Sequence, residues 1–112
     1  MPILDLPENY LQTLHELLQE YAPDAGVWAY GSRVSGRAHE TSDLDLVLRN
    51  PADQSVPQKR LVELRAAISE SGLPILVDVM DWARIPQTFR NEIEREHVVV
   101  QRQAGKDVKR KA

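Results

Sequence analysis

A glycine–serine turn and a pair of aspartates are the residues of this sequence whose types and spacing best fit chemistry. Gly31-Ser32 is followed, after ten residues, by Asp43 and Asp45 in the frame Asp-x-Asp. A turn of small residues exposes main-chain N–H groups to an anion such as phosphate. Carboxylates two positions apart on a strand point to the same side, where together they can bind a divalent cation. The combination predicts phosphoryl-transfer chemistry.

Each half of this pattern also has a plain structural interpretation. Gly-Ser pairs are common in β-turns, and the Asp-x-Asp frame also occurs on solvated strand faces. The order in which the turn and the acids occur along the chain favours a catalytic site over these structural interpretations. A strand, a turn suited to phosphate and an acid-bearing strand would let a nucleotide lie across the strand ends.

The elements around the turn can be predicted from periodicity and from breaker residues. Apolar residues at helical spacing predict a first helix over 6–21, and Asp5 with Glu8 three residues later, around Pro7, predicts a start close to a capping box. The β-favouring run 27–30 predicts a strand that ends at the turn.

The aspartate pair lies on a second predicted strand, 43–48, whose residues alternate in character. A strand sends successive side chains to opposite faces, so one face would be apolar and the other would carry the acids. The apolar face holds Leu44, Leu46 and Leu48, and the opposite face holds Asp43, Asp45 and Val47.

The rest of the chain alternates between helical and extended patterns. Ser55 with Gln58 three residues later predicts the start of a second helix, and the apolar run 75–80 predicts a third strand. A third helix is expected over 86–96, whereas the residues Val98–Val100 fit either a last strand or the end of that helix.

This order predicts an α+β fold, with a small mixed sheet and helices packed mainly on one face. The connection after the first strand is too short for a helical crossover, which is compatible with an antiparallel pair. A helix separates the second and third strands, and such a connection favours a right-handed parallel pair.

Composition and charge exclude several classes of function. The chain has 112 residues and no cysteine, and its histidines at 15, 39 and 97 lack metal-site spacing, so carboxylates would have to bind any metal. The whole chain carries −3 and residues 105–112 carry +3, so residues 1–104 carry −6. An acidic body argues against direct nucleic-acid binding.

We expect one domain over 1–104 and a basic, disordered tail over 105–112. No signal peptide is recognisable, and no apolar run approaches the ~20 residues of a membrane span. The expectation is therefore a cytoplasmic protein without membrane contact.

The motif resembles that of a known superfamily. Gly31-Ser32-Arg33, Gly36 and Ser42-Asp43-Leu44-Asp45-Leu46 match the signature of the polymerase-beta-like nucleotidyltransferases. Within that superfamily the chain looks like the minimal, MNT-type enzymes, which are the antitoxins of HEPN/MNT toxin–antitoxin pairs. The resemblance covers the chain from the first helix to about residue 102.

The resemblance implies a nucleotidyltransferase fold and a two-metal reaction with ATP as substrate and Mg²⁺ as cofactor. Three carboxylates hold two ions in that superfamily, two from the Asp-x-Asp strand and one from a later strand. Asp43, Asp45 and Asp78 would then be catalytic and metal-binding. Asp81 is the competitor for the third position, but alternation places it on the opposite face, where it is better suited to cap a turn. Nucleotide binding would fall to Gly31, Ser32 and Arg33.

For MNT-type proteins the resemblance also implies a partner, a helical HEPN toxin with ribonuclease activity. The enzyme would form a hetero-oligomer with this toxin and silence it by transferring AMP to a tyrosine hydroxyl. The alternative is an antitoxin that inhibits by binding alone, in which case exposed apolar residues such as Trp82, Tyr10 or Val98–Val100 would matter. Modification of a small molecule is less favoured, because no substrate domain is present.

Overall fold

A computed structural model describes residues 2–103 of the protein. The expected tail, 105–112, and the first and last residues of the expected domain, 1–104, lie outside the described residues. A 3₁₀ turn, Trp82–Arg84, follows the third strand. The regular elements are α1 Glu8–Tyr21, β1 Gly26–Tyr30, α2 Ser32–Ser35, β2 Leu44–Arg49, α3 Leu61–Glu70, β3 Val77–Asp81, α4 Gln87–Arg95 and β4 Val98–Gln101.

The four strands form one mixed sheet in the order β3-β2-β1-β4. β1 runs antiparallel to both β2 and β4, and β2 runs parallel to β3. The parallel pair is the one connected through α3, as a crossover connection requires. The expected α+β class is confirmed, and the ambiguous segment at Val98–Val100 is a strand at the sheet edge.

One face of the sheet carries the main hydrophobic core. Side chains of alternate β2 residues pack there against α1 and α3, which confirms the predicted alternation. Full burial of one such leucine stabilises the fold by about 2 kcal/mol, so this face dominates the folding energy. The contributing residues are Leu44, Leu46 and Leu48 of β2, Leu14 and Leu18 of α1, and Leu61, Leu64 and Ile68 of α3.

The opposite face is covered only in part. Ile93 of α4 packs there in a second cluster with Tyr30, Val47, Trp82 and Ile85. Two helices on one face and one helix on part of the other agree with the expectation of helices mainly on one side. The incomplete cover matters, because the odd-numbered residues of β2 point toward this face.

The predicted start of α1 is wrong in its capping residue. Pro7 occupies the N-cap position, and no side chain caps the helix. Asp5 instead donates its main-chain N–H to the Arg33 carbonyl at 2.7 Å, and its own carbonyl accepts a hydrogen bond from Arg33 Nη1 at 2.8 Å. Because Asp5 lies two residues before the helix boundary, its carboxylate does not act as a cap.

The predicted start of the second helix at Ser55 is also wrong. Asp53 Oδ1 accepts hydrogen bonds from the Ser55 N–H and Oγ, which closes a local turn. The Gln58 N–H donates to Asp81 Oδ2 at 2.8 Å, and α3 begins only at Leu61. Asx turns of this kind compete with helix starts for the same residue types.

Candidate active site

Gly31 directly follows β1 and has a backbone conformation that favours glycine. Its φ is +83°, and a Cβ added there would lie 2.5 Å from Asp45 Oδ2. Both the dihedral angle and the neighbouring carboxylate therefore exclude a side chain at this position. The sequence predicted only a turn after β1. In the structure Gly31 makes that turn alone, because the short helix α2 already begins at Ser32.

Strand register brings two of the predicted acids side by side. Asp45 of β2 lies opposite Asp78 of β3 in the parallel pair, and Tyr30 of β1 lies opposite Asp45 in the antiparallel pair. Neighbouring strands are about 4.8 Å apart, so the three residues form a row across the sheet. Asp78, chosen over Asp81, is the acid that this register brings to Asp45.

A cavity of about 440 Å³ opens above this row. Gly31, Asp45 and Asp78 line it, together with residues of α4 and its C-cap that the site prediction did not include. Phe89 and Ile93 are apolar residues of this helix, and a helix places i, i+3, i+4 and i+7 on one face. The same spacing places Glu92 and Glu96 on that apolar side of the helix, but it does not show which face of the sheet the helix covers. The additional lining residues are Tyr30, Met80, Phe89, Glu92, Ile93 and Glu96.

The carboxylates repel one another in this setting. Burial raises the pKa of Asp45 above its usual value of 3.8, and the charges of Asp78 and Asp43 raise it further. Burial also raises the pKa of Tyr30, with smaller contributions from Asp45 and Asp78. A site that accumulates negative charge in this way is suited to a cation.

The donor set fits a hard divalent ion, because carboxylate oxygens are the ligands that Mg²⁺ prefers. Within residues 2–103, however, no three acidic, histidine or cysteine side chains already stand close enough to hold a metal ion. Asp43 is exposed, immediately precedes β2 and does not line the cavity, and neither does Ser32. The structure thus brings Gly31, Asp45 and Asp78 together, with Ser32 and Asp43 beside them.

Arg33 does not contact the cavity. It is 3% exposed, and its Nη1 donates to the Asp5 carbonyl at 2.8 Å. Nε and Nη2 donate to the Ser42 carbonyl at 3.0 and 2.9 Å, and Nη2 also reaches the carbonyls of His39 and Glu40. Because the guanidinium already donates to main-chain carbonyls, the predicted contact between Arg33 and the nucleotide is disfavoured. Arg33 instead fixes the loop that leads into β2.

Asp81 has the structural role that alternation predicted. It is 3% exposed and accepts a hydrogen bond from the Ala83 N–H, which caps the 3₁₀ turn. Trp82, expected to be an exposed contact residue if the protein only binds its partner, is 4% exposed and packs in the second hydrophobic cluster. That expectation was wrong.

The comparison with known families agrees with this geometry. Residues 12–104 match the family described as polymerase beta, nucleotidyltransferase. The chain belongs to the polymerase beta nucleotidyltransferases. The matched range includes the Gly31 turn, Asp43, Asp45 and Asp78. It confirms that this chain is an enzyme of the nucleotidyltransferase class.

A relative places this nucleotidyltransferase among the MNT-type enzymes. It is 41% identical over 100 residues to a probable protein adenylyltransferase MntA of Haemophilus influenzae (strain ATCC 51907 / DSM 11121 / KW20 / Rd), a match that covers 88% of this chain and 84% of the relative. The resemblance to MNT-type proteins is thereby confirmed.

A solved structure has the same fold. It is described as a crystal structure of a toxin-antitoxin with AMP-PNP and aligns with a TM-score of 0.66 at 20% identity. The alignment covers 87% of this nucleotidyltransferase and 77% of that chain. In the part of the chain that the structure describes, no helix is long and apolar enough to cross a membrane.

Proposed function

We propose that this nucleotidyltransferase transfers AMP from ATP to a hydroxyl group of a partner toxin and so acts as its antitoxin. The observation that carries the proposal is the register of Asp45 beside Asp78, directly next to the Gly31 turn. A relative named as a protein adenylyltransferase supports a protein as acceptor. A fold neighbour described as a toxin-antitoxin with AMP-PNP supports a toxin partner and an adenine nucleotide.

Each part of the site has a distinct task in this reaction. The main chain at Gly31 and the hydroxyl of Ser32 bind the triphosphate, since a turn of small residues exposes N–H groups to phosphate. Asp43, Asp45 and Asp78 would hold two Mg²⁺ ions. When bound, Mg²⁺ neutralises the phosphates and lowers the pKa of the incoming hydroxyl.

The acceptor oxygen forms a bond to the α-phosphorus, and the bond from that phosphorus to the β-phosphate's bridging oxygen breaks. Pyrophosphate leaves, and the acceptor proton passes to water. The protein contributes mainly position and charge, because no covalent intermediate on the enzyme is needed.

A tyrosine of a HEPN toxin is the acceptor we favour. The cavity beside the aspartates has apolar walls from Phe89 and Ile93, which suit an aromatic ring. The resemblance to MNT-type antitoxins points to the same residue and partner. The toxin would lie over the face of the sheet that α4 leaves open.

The test is a transfer assay with the cognate toxin, which is sought in the reading frame next to that of this chain. Both proteins are incubated with Mg²⁺ and α-labelled ATP, and mass spectrometry locates the label. With the wild-type enzyme we expect AMP on a tyrosine of the toxin and loss of toxin activity. With the Asp43→Ala or Asp78→Ala variant we expect no AMP on the toxin and no loss of its activity. Omission of Mg²⁺ should also prevent labelling.

Equal neutralisation by wild type and Asp43→Ala, without any label on the partner, would instead establish an antitoxin that inhibits by binding alone. Asp24→Ala is the matched control, since Asp24 is an exposed aspartate of the turn between α1 and β1. It should transfer AMP at the wild-type rate.

A further inference from the structure

A second pocket, of about 260 Å³, lies at the outer edge of β3 and has the opposite charge character to the active site. We call it the β3-edge pocket. Its lining includes three cationic side chains, which are exposed, and Val62, which is 74% exposed. The residues that matter here are Lys59, Val62, Arg65, Met80, Asp81 and Arg84.

The cations of this pocket are not neutralised by its own lining. Asp81 is the one acid among its described lining residues, and its two oxygens accept hydrogen bonds from the N–H groups of Gln58 and Ala83. Asp81 is also 3% exposed, so it is turned away from solvent. An excess of positive charge therefore faces outward from a domain whose residues 1–104 carry −6.

The pocket adjoins the active site on the side away from the phosphate turn. Met80 lines both cavities. Across the sheet the order is Gly31 at the end of β1, Asp45 on β2, Asp78 on β3 and then the β3-edge pocket. A nucleotide held by the turn would lie at one end of this row, which leaves the β3 side to the acceptor.

Arg65 determines how a ligand can approach this edge. Its Nε and Nη2 donate to the outward carbonyl of Val79 at 3.1 and 2.6 Å. That carbonyl is then not available for pairing with an added strand. Among residues 2–103, Arg65 Nη1 has no hydrogen-bond partner, so it remains for an acceptor that approaches this edge.

We propose that the β3-edge pocket binds a carboxylate side chain of the protein acceptor, on the segment that flanks the modified hydroxyl. The inference rests on the proposed function, because it assigns the acceptor to the β3 side of the active site. Lys59, Arg65 and Arg84 supply the complementary charge, and Val62 supplies an apolar rim. The pocket gives acceptor affinity and does not take part in the chemical step.

Charge reversal tests the proposal. Arg84→Glu and Lys59→Glu are compared with Arg102→Glu, which makes the same change at an exposed residue just after β4, on the other edge of the sheet. With the toxin from the neighbouring reading frame as acceptor, each pocket variant should raise the acceptor KM about 10-fold at low salt. The difference should shrink as salt rises, while kcat and the Kd of Mg·AMP-PNP stay unchanged.

The outcomes separate this inference from the proposed function. Transfer by wild type with an unchanged acceptor KM in Arg84→Glu would overturn the pocket assignment alone. Weaker AMP-PNP binding in Arg84→Glu would assign the pocket to the nucleotide, and a changed self-association state by light scattering would assign it to a second copy. Either overturns the proposal.

The inference remains testable if wild type does not transfer AMP at all. The Kd of the complex with the toxin, measured by calorimetry, should still rise about 10-fold in Arg84→Glu and remain at the wild-type value in Arg102→Glu. An unchanged Kd in both variants would then overturn the pocket assignment.

Discussion

Strand β2 presents Leu44, Leu46 and Leu48 to one side of the sheet and Asp45 and Val47 to the other. On the first side, two helices bury every one of these leucines. On the second side, the apolar cluster around Val47 stands next to a cavity where carboxylates repel one another. The same six-residue strand therefore contributes to folding energy on one face and accumulates unfavourable charge on the other.

The difference explains how a domain this small can carry a charged site. We call the side of β2 with Leu44, Leu46 and Leu48 the leucine face and the side with Asp45 the acid face. Burial of the leucine face and of Val47 offsets the free-energy cost of holding acids close together, because apolar burial contributes about 25 cal/mol per Å². Separating the two tasks by face also means that they can be separated by mutation. Changes on the acid face should affect transfer, and changes on the leucine face should affect stability.

The largest effect should come from the acid face. Asp45→Asn keeps the size of the side chain and removes its charge, so we expect the rate of AMP transfer to fall about 1000-fold while the fold persists. Single-turnover transfer and circular dichroism measure the two quantities. Asp24→Asn is the control and should leave both unchanged. A variant that unfolds would contradict the separation by face.

Leu46→Ala tests the other face of the same strand. Leu46 is 0% exposed, and deleting a fully buried leucine leaves a cavity, so the free energy of unfolding should fall by about 3 kcal/mol. Urea denaturation measures the loss, with Val62→Ala as the surface control at 74% exposure. Transfer by the fraction that remains folded should stay near wild type. If that fraction lost transfer as Asp45→Asn does, the two faces would not be independent.

The two faces of β2 could be predicted from sequence because alternation is a local property of a strand. The parallel neighbour of β2 was equally predictable, since a helix lies between the two strands. The family resemblance implied a third acid, Asp78, on that neighbour, and the structure shows it in register with Asp45. The same alternation assigned Asp81 to the other side as a turn cap. Local pattern and connection length were sufficient for the strands and their faces, whereas the choice of a third acid also needed the family resemblance.

Long-range contacts could not be predicted in this way. The carbonyls that Arg33 binds belong to residues 5, 39, 40 and 42, and main-chain acceptors have no sequence signature. Likewise, periodicity shows which side of α4 is apolar but not which face of the sheet it covers. Glu92 and Glu96 therefore entered the site only with the structure.

Arg33 fixes the loop that leads into β2, the strand that carries both the leucine face and the acid face. Arg33→Lys retains the charge but loses the planar fork of donors, so several buried carbonyls lose a hydrogen bond and stability should fall by about 2 kcal/mol. Arg37→Lys, at an exposed position of the same loop, should change stability little. Equal urea midpoints for the two variants would contradict a role of Arg33 in fixing the loop.

The smallest expected effect concerns the charge stored on the acid face. Burial and neighbouring charges raise the folded-state pKa of Asp45 above 3.8, so the folded protein binds that proton more readily than the unfolded chain. The stabilising contribution of the protonated form is complete below pH 3.8 and is lost as pH rises through the folded-state pKa.

With metal removed by a chelator, Asp45→Asn should therefore be more stable than wild type at about pH 7, and this gain should vanish below the unfolded-state pKa. Thermal unfolding at the two pH values measures the difference, with Asp24→Asn as the reference for a solvated aspartate. A gain that did not depend on pH would mean that the amide stabilises the fold by some contact of its own, and the acid face would then carry no stored charge repulsion.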